Sequence, residues 1–312
     1  MEASTNQHRP VLLNETIEAL AIKADGFYLD GTFGRGGHSA KILEALSEKG
    51  RLIAFDQDPQ AIKVAEEKFA GDSRFEIVQR NFEDLQDVVA DHGMMKKVDG
   101  VLLDIGVSSP QLDDASRGFS FIKPGPLDMR MNPGVGQSAA EWLASVTEYD
   151  LTTVLMHFGE EKFARRIANA IVETRKETLI DDTVQLANII EAAIPVKPKN
   201  KHPATKSFQA IRIHINRELE VLERALQSAL NVLAIGGRLA VISFHSLEDR
   251  MVKRYFRNVS RGPQIPKDIP VLAKDLQQPY KLVGKAVKPG KQELLENPRS
   301  RSSVLRVIER VM

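Results

Sequence analysis

The chain has 312 residues, of which 42% are hydrophobic and 27% charged, and its formal net charge at pH 7 is +1. This composition predicts a globular protein with a substantial core, and the near-zero charge excludes nucleic-acid binding through bulk charge alone. The sequence contains no cysteine, which excludes disulfides, cysteine-ligated metal centres and a cysteine nucleophile.

The sequence has neither of the two signals that direct a chain to a membrane. The N-terminal stretch MEASTNQHRP lacks the apolar core of a signal peptide, and no apolar run approaches the ~20 residues that cross a bilayer. We therefore expect a cytoplasmic protein without a membrane partner.

The first predicted elements are a strand, a glycine-rich loop and a helix. The strand Gly26–Asp30 (GFYLD) leads into DGTFGRGGHSAKIL, which has four glycines in its first eight residues, and the helix Ser39–Leu46 follows. Glycine lets a ligand approach the backbone, and a helix N-terminus favours anionic groups. The pattern predicts a ligand-binding loop, with a tight turn that binds nothing as the alternative.

Strand and helix patterns continue to alternate after this loop. Strands are predicted at Arg51–Asp56, Arg74–Val78 and Val98–Asp104, with a helix at Pro59–Phe69 after the first of them. This rhythm is typical of an α/β fold with a doubly wound, mostly parallel sheet.

Three of these strands end in an aspartate. Asp30, Asp56 and Asp104 occupy these positions, and ligands of open α/β sheets bind outside the carboxyl ends of the strands. Asp56 follows Gly36 by twenty residues, the spacing at which an acid reaches ribose hydroxyls. Phe82, after the third strand, is predicted to lie against an adenine. Solvated strand ends are the alternative for the acids.

The strand pattern is then interrupted by a helical region. The stretch Val107–Gly136 is rich in Pro, Gly, Ser and Asp and is longer than an ordinary loop, and helical periodicity dominates from Ser138 to about Ala193. We interpret residues 113–205 as an inserted all-helical subdomain that recognises the substrate. Residues 1–112 and 206–312 are predicted to form the catalytic domain.

The sheet pattern resumes after the insert. A long helix is predicted at Ser207–Leu233 and a C-cap at Gly236–Gly237, followed by the elements that complete the chain. These are a strand at Arg238–Phe244, a helix at Asp249–Phe256, a loop at Arg261–Glu296 and a last strand at Arg301–Arg310.

The spacing of the loop glycines distinguishes two cofactor classes. The dinucleotide pattern G-x-G-x-x-G fails after Gly34 and Gly36 because Ser39 stands at the third position. The acid-x-G-x-G-x-G pattern of S-adenosylmethionine sites, counted from Asp30, departs only at Thr32. S-adenosylmethionine is therefore the favoured cofactor, and a nucleotide-dependent oxidoreductase is the alternative.

Several long motifs together resemble one known family. They are DGTFGRGGHS, AFDQDPQAI, LLDIGVSSPQLDDASRGFSF, GPLDMRM, KHPATKSFQAIRIHIN, GGRLAVISFHSLEDR and NPRSRSSVLR. Over nearly the whole chain they resemble the bacterial 16S ribosomal RNA cytosine-N4 methyltransferases of the MraW type. The resemblance implies a class I (Rossmann-like) methyltransferase with a helical insertion, acting on one cytosine of the decoding centre near the P site. It also implies cofactor contacts from Gly36, Gly37, His38, Asp56, Phe82, Asp104 and Gln111, to which the loop pattern adds Asp30 and Gly34.

The composition is consistent with methylation of an exocyclic amine. Methylation of cytosine C5 ordinarily requires a cysteine, whereas the N4 amine requires an acceptor that holds its N–H. Asp104, Ser108 and Ser109 are the candidate catalytic residues, and which atom acts stays open because an Asp/Asn-Pro-Pro-aromatic tetrad is absent. An RNA-binding assembly factor is the non-enzymatic alternative.

Local basic clusters are the candidate RNA contacts. One cluster lies at the exit of the insert and the other in the C-terminal tail, and solvated surfaces are the alternative for both. No grouping of His, Asp and Glu has metal-site spacing, so we predict no metal. The clusters are Lys197, Lys199, Lys201, His202 and Lys206, and Arg299, Arg301, Arg306 and Arg310.

Overall fold

The computed structural model describes residues 10–196, 198, 202–261 and 278–312. The chain divides into two compact units, the sheet unit (Met1–Gly106 and Glu220–Met312) and the helical unit (Val107–Leu219). The predicted insert 113–205 falls within the range of the helical unit. Among the described residues, no helix is both long and apolar enough to span a bilayer.

The sheet unit is built on a seven-stranded sheet in the order β3-β2-β1-β4-β5-β7-β6. Strands β1 to β5 run parallel, and β7 is antiparallel to both β5 and β6. This order confirms the doubly wound, mostly parallel sheet and the class I methyltransferase fold. The strands are β1 (Phe27–Asp30), β2 (Arg51–Asp56), β3 (Phe75–Gln79), β4 (Val98–Asp104), β5 (Leu233–Ser243), β6 (Tyr280–Leu282) and β7 (Val304–Arg310).

The helices are numbered in chain order through both units. In the part of the chain that the structure describes they are α1 (Leu13–Leu20), α2 (Gly37–Ala45), α3 (Pro59–Lys68), α4 (Leu85–Asp91), α5 (Ser109–Asp113), α6 (Ala139–Ser145), α7 (Glu148–Gly159), α8 (Ala164–Thr174), α9 (Thr183–Ala193), α10 (Thr205–Ile215), α11 (Glu218–Val232), α12 (Ser246–Arg261) and α13 (Lys291–Glu296).

Both faces of the sheet are buried. Successive residues of a strand point to opposite faces, so Leu102 and Leu103 of β4 enter different cores. Leu103 packs in a cluster with Leu226 of α11 and Phe256 of α12. Leu102 packs in a second cluster with Ile42 of α2. Coverage on both sides explains why these strands are continuously apolar in the sequence.

The helical unit has a hydrophobic core of its own. Helices α6 to α10 each contribute buried side chains to it, and residues of the connecting segments, among them Phe119 and Leu127, join them. The α-helical character predicted for this region is therefore observed. The contributing helix residues include Trp142, Leu155, Ile167, Leu186 and Ile211.

The prediction of one long helix at Ser207–Leu233 is wrong, because the chain breaks between α10 and α11. Arg217 adopts a left-handed conformation (φ 51°), which ends the helix. The Asn216 side chain fixes the break: its Oδ1 accepts from the Met131 N–H (2.7 Å) and its Nδ2 donates to the Met129 carbonyl (2.8 Å). These partners are distant in sequence, so helical periodicity alone does not reveal them.

The predicted C-cap at Gly236–Gly237 is also wrong. Helix α11 ends at Val232, and the two glycines lie inside β5, where Gly236 has φ 80°. The pairing of β4 with β5 shifts there, from Val98 opposite Leu233 to Gly100 opposite Arg238. The glycines therefore accommodate an irregularity in the ladder.

The loop predicted at Arg261–Glu296 needs a partial correction. Its residues 262–277 lie outside the described residues, whereas β6 and α13 occupy part of the remainder. Strand β6 has only three residues, too few to give an alternating pattern in the sequence.

Candidate active site

The three strand-end aspartates lie at one edge of the sheet. Asp30 pairs in register with Ala54 of β2 and with Leu102 of β4. Asp56 and Asp104 therefore each lie two residues beyond the level of Asp30 on the two strands that flank β1. The geometry groups three carboxyl groups at the carboxyl end of neighbouring parallel strands, where ligands of such sheets bind.

Asp30 holds the glycine loop against the start of α2. Its carboxylate accepts hydrogen bonds from Ser39 Oγ (2.6 Å) and from the Thr32 N–H (3.1 Å), and its side chain is buried. Burial raises the pKa of Asp30, and the hydrogen bonds from Ser39 and Thr32 oppose that rise. Asp30 thus has a structural role in the fold, and its predicted cofactor contact stays a prediction.

Asp56 organises the backbone on both sides of the same edge. Its Oδ2 accepts from the Gly34 N–H and its Oδ1 from the Asp58 N–H, both at 2.9 Å. Burial raises the pKa of Asp56 to about 6; these hydrogen bonds oppose the rise, and the charges of Asp58 and Asp30 add to it. Each carboxylate oxygen has a second lone pair, so the group can also accept from a ligand hydroxyl.

Three of the four loop glycines have different environments. A Cβ on Gly36 would lie 2.6 Å from the Phe33 ring, and one on Gly37 would lie 2.1 Å from Pro10 Cγ, so these two positions are closed by packing. Gly34 is different: its φ is 56°, and among the described residues no heavy atom lies within 4 Å of a Cβ built there. Gly34 therefore borders open space.

Asp104 presents an unsatisfied carboxyl oxygen. In the described part of the chain its Oδ1 is buried and has no hydrogen-bond partner, while its backbone N–H donates to Thr32 Oγ1 (2.7 Å). Burial raises the pKa of Asp104 well above its ordinary value, and the charges of Asp30 and Glu248 raise it further. A buried oxygen in this condition favours a ligand that donates a hydrogen bond or carries positive charge.

His38 contacts Asp104 and closes the back of the site. Its buried ring places Nε2 3.2 Å from the Val11 carbonyl oxygen and Nδ1 3.5 Å from Asp104 Oδ2. Because a carbonyl only accepts, this arrangement assigns a hydrogen to Nε2. The other ring nitrogen, Nδ1, therefore faces the Asp104 carboxyl group. The cofactor contact of His38 implied by the family stays a prediction.

Phe82 lies next to the same edge. It begins the short helical turn that follows β3, is half-buried, and packs against the core that contains Leu103 and Leu85. A Cβ on Gly31 would lie 3.1 Å from Phe82 Cβ, so Phe82 and the glycine loop are neighbours. The predicted adenine contact is compatible with this position and stays a prediction.

Ser108, Ser109 and Gln111 belong to the helical unit. Ser108 and Gln111 form a capping box at the start of α5: Ser108 Oγ accepts from the Gln111 N–H, and Gln111 Oε1 accepts from the Ser108 N–H. The S-x-x-Q spacing is a sequence signal for this role. Their predicted substrate and cofactor contacts stay predictions.

One basic cluster belongs to the range of the helical unit and the other to the sheet unit. Lys197, Lys199 and Lys201 lie outside the described residues, while Lys206 Nζ donates to the Glu160 carbonyl (2.8 Å) and His202 Nε2 lies 3.8 Å from Glu191 Oε2. Two tail arginines are engaged within the sheet unit. Arg306 forms a bidentate ion pair with Asp249, and Arg310 donates to the Leu233 carbonyl.

Thr32 and Ser39 entered the sequence analysis only as departures from glycine patterns, and Glu248 did not enter it. Thr32 and Ser39 stand inside the quoted glycine motif, but their bonds to Asp104 and Asp30 depend on how the strands align. Glu248, in the first turn of α12, is buried and accepts from the Phe244 N–H (2.8 Å). A charged residue of the SLED segment gives no signal in the sequence that it will be buried.

Comparison with known proteins gives a family and relatives. The family model described as the MraW methylase family matches residues 5–311. The chain is 60% identical over 307 residues to the ribosomal RNA small subunit methyltransferase H of Alteromonas mediterranea, covering 98% of each chain. Among solved structures, an rRNA methylase of Streptococcus thermophilus aligns with a TM-score of 0.44 at 12% identity, covering 97% of this chain and 98% of the other.

Proposed function

The chain belongs to the MraW methylase family, and we propose that it methylates the N4 amine of one cytosine in the decoding centre of 16S ribosomal RNA, near the P site. It is a methyltransferase that uses S-adenosylmethionine. Family membership excludes the nucleotide-dependent oxidoreductase. The RNA substrate is supported by the name of the relative that is 60% identical over 98% of the chain.

The sheet unit fits S-adenosylmethionine. When bound, this cofactor supplies a methyl group on a positively charged sulfur. Asp104 Oδ1 is buried without a partner in the described part of the chain, and the neighbouring acids raise its pKa, so a cationic ligand is favoured there. Gly34 borders the open space, and Asp56 is the acceptor that we assign to the ribose hydroxyls.

The choice of the N4 amine rests on Asp104. N4 is a weak nucleophile because its lone pair is delocalised into the ring, and an acceptor for its N–H helps to localise that pair. Asp104 Oδ1 is such an acceptor, and its raised pKa suits it to take the proton that leaves N4. The C5 route is disfavoured because the chain has no cysteine to attack C6.

The helical unit is the substrate-recognition element of this proposal. It has its own core, separate from the cores that line the sheet. Its surface residues can therefore be adapted to a substrate without altering the strands that carry Asp30, Asp56 and Asp104. We assign the predicted insert 113–205 to this role and take the RNA to be recognised within the small ribosomal subunit.

The function is tested by identifying the methylated nucleoside. Purified protein is incubated with labelled S-adenosylmethionine and, in parallel, with naked 16S RNA, a precursor particle and the mature small subunit. The RNA is then digested to nucleosides for mass spectrometry. We expect N4-methylcytidine with at least one of these substrates. Formation of 5-methylcytidine contradicts the N4 assignment, and cofactor binding without turnover supports an assembly factor.

The open space beside Gly34 gives a test of the cofactor site. Replacing Gly34 with Ala strains a left-handed residue by about 1 kcal/mol and places a methyl group in that space. We expect S-adenosylmethionine affinity, measured by calorimetry, to fall by about 10-fold or more. The matched control is Gly71→Ala, at a residue that is also left-handed (φ 83°) and open to space. Equal affinity losses in both variants would assign the effect to backbone strain.

A further inference from the structure

Helix α12 has an exposed face that carries only basic charge. Val252 and Phe256 on its inner side are buried in the core of the sheet unit. The outward side carries five exposed basic residues, which we call the basic face: Arg250, Lys253, Arg254, Arg257 and Arg261. Their spacing places them within an arc of about 100° and along about 16 Å of the helix.

This arrangement differs from an ordinary solvated helix surface. The acids of α12 are Glu248, which is buried, and Asp249, which is paired with Arg306. The exposed residues of α11 include both Glu220 and Arg224, which form an ion pair. Within the described residues, Lys253, Arg254 and Arg257 make no ion pair. Uncompensated like charges in a row destabilise an isolated helix, so the basic face is suited to an anionic partner.

The basic face begins close to the candidate active site. Helix α12 follows directly from β5, whose residue Ile242 pairs in register with Asp104. Glu248, in the first turn of α12, is close enough for its charge to raise the pKa of Asp104. The first basic residue, Arg250, lies two positions further along the helix. The row of charges therefore leads away from the reacting end of the sheet.

We propose that the basic face of α12 binds backbone phosphates of the substrate RNA next to the target nucleotide. This inference rests on the proposed RNA substrate. An anionic membrane is disfavoured as the partner because interfacial helices bury an apolar face in the bilayer, and the apolar side of α12 already packs in the core. A row of arginines and a lysine along a helix matches the repeated charges of a nucleic-acid strand.

The test compares two triple variants that remove the same charge. One is Lys253→Gln, Arg254→Gln, Arg257→Gln on the basic face. The control is Lys49→Gln, Lys63→Gln, Lys288→Gln at exposed lysines elsewhere in the sheet unit. Binding of transcribed 16S RNA is measured between 50 and 200 mM salt, and S-adenosylmethionine binding is measured by calorimetry.

We expect the basic-face variant to bind RNA about 10-fold more weakly at 0.1 M salt, with the slope of log K against log salt reduced by about 2. Its KM for RNA should rise, its kcat at saturating RNA should stay unchanged, and its cofactor affinity should match the wild type. The control variant should keep the wild-type slope. A double variant of the wild type, Arg254→Lys with Arg257→Lys, keeps the positive charges and should bind RNA nearly as tightly as the wild type.

Three results would overturn the inference in distinguishable ways. If the wild type methylates the RNA but the basic-face variant keeps the original slope, or the control loses as much slope, the basic face is a solvated surface and the proposed function stands. If the wild type binds the cofactor but neither binds nor methylates 16S RNA or small-subunit particles, the proposed function and the inference fail together. Loss of binding to anionic phospholipid vesicles with an unchanged RNA slope would assign the face to a membrane.

Discussion

Replacing Asp104 with Asn is expected to lower the methyl-transfer rate by at least about 100-fold, the usual contribution of a positioned proton acceptor. Asparagine keeps the shape of the side chain and a carbonyl oxygen, but it has no negative charge and cannot accept the N4 proton. RNA affinity and folding should be retained. Single-turnover kinetics with saturating RNA and cofactor measure the rate without a contribution from binding.

The matched control lies at the other end of the same strand. Asp99 of β4 accepts hydrogen bonds from the Phe27 N–H (3.0 Å) and from Lys23 Nζ (2.6 Å). Asp99→Asn therefore removes a carboxylate of β4 that has no place at the reacting edge, and its single-turnover rate should stay near that of the wild type. A normal rate in Asp104→Asn combined with lost RNA binding would show that Asp104 only contacts the substrate.

Although Asp104→Asn should lower the methyl-transfer rate, it should raise the stability of the folded protein. Burial and the charges of Asp30 and Glu248 raise the pKa of Asp104 in the folded state. Between the unfolded and folded pKa values the folded protein holds more protons, so this group lowers stability as pH rises through that range. Asp104→Asn has no ionisable group at this position and should unfold at a higher temperature than the wild type at pH 7.5. This difference in unfolding temperature should shrink as the pH falls towards 3.8, the ordinary pKa of the Asp104 carboxyl group. An Asn variant that is less stable at pH 7.5 would contradict this account of the site.

Much of the sheet could be predicted because its local and global signals agree. The strands Arg51–Asp56 and Val98–Asp104 have the predicted bounds, since continuous apolar runs mark strands that are buried on both faces. The grouping of Asp30, Asp56 and Asp104 followed from parallel order alone. What the sequence could not supply are contacts between distant residues: Asn216 reaches Met129 and Met131, and burial of Glu248 depends on the end of β5.

The two faces of α12 show the same limit. Spacing in the sequence places its basic residues on one side of a helix, but whether they are exposed depends on which side packs against the sheet. The tail arginines demonstrate the difference, because Arg306 is equally basic in sequence and is paired with Asp249 in the structure. Counting basic residues along the chain therefore overestimates the charge that the C-terminal tail can offer to RNA, and it does not identify the basic face of α12.

Replacing Asp56 with Ala is expected to weaken S-adenosylmethionine binding by about 1 to 3 kcal/mol, because the ribose hydroxyls lose a charged acceptor. The Ala variant also frees the Gly34 and Asp58 N–H groups, so Asp56→Asn is needed beside it. Asp72→Ala is the matched control, since Asp72 likewise accepts a backbone N–H, from Arg74 at 3.0 Å. Calorimetry at pH 8 measures all three variants, and an unchanged dissociation constant in a folded Asp56→Ala protein would remove Asp56 from the cofactor site.

The pH dependence separates the charge of Asp56 from its shape. Because the pKa of Asp56 is raised to about 6, the carboxylate is ionised at pH 8 and about one-tenth ionised at pH 5. If the ionised form binds the ribose, cofactor affinity should fall about 10-fold from pH 8 to pH 5. This pH range lies above the one in which an ordinary aspartate titrates. Asp56→Asn has no such proton to gain, and its affinity should be weaker at pH 8 but less dependent on pH, with any slope that persists coming from other groups, such as the α-amino group of the cofactor. A wild-type slope preserved in Asp56→Asn would show that another group titrates and would leave Asp56 as a support for the glycine loop.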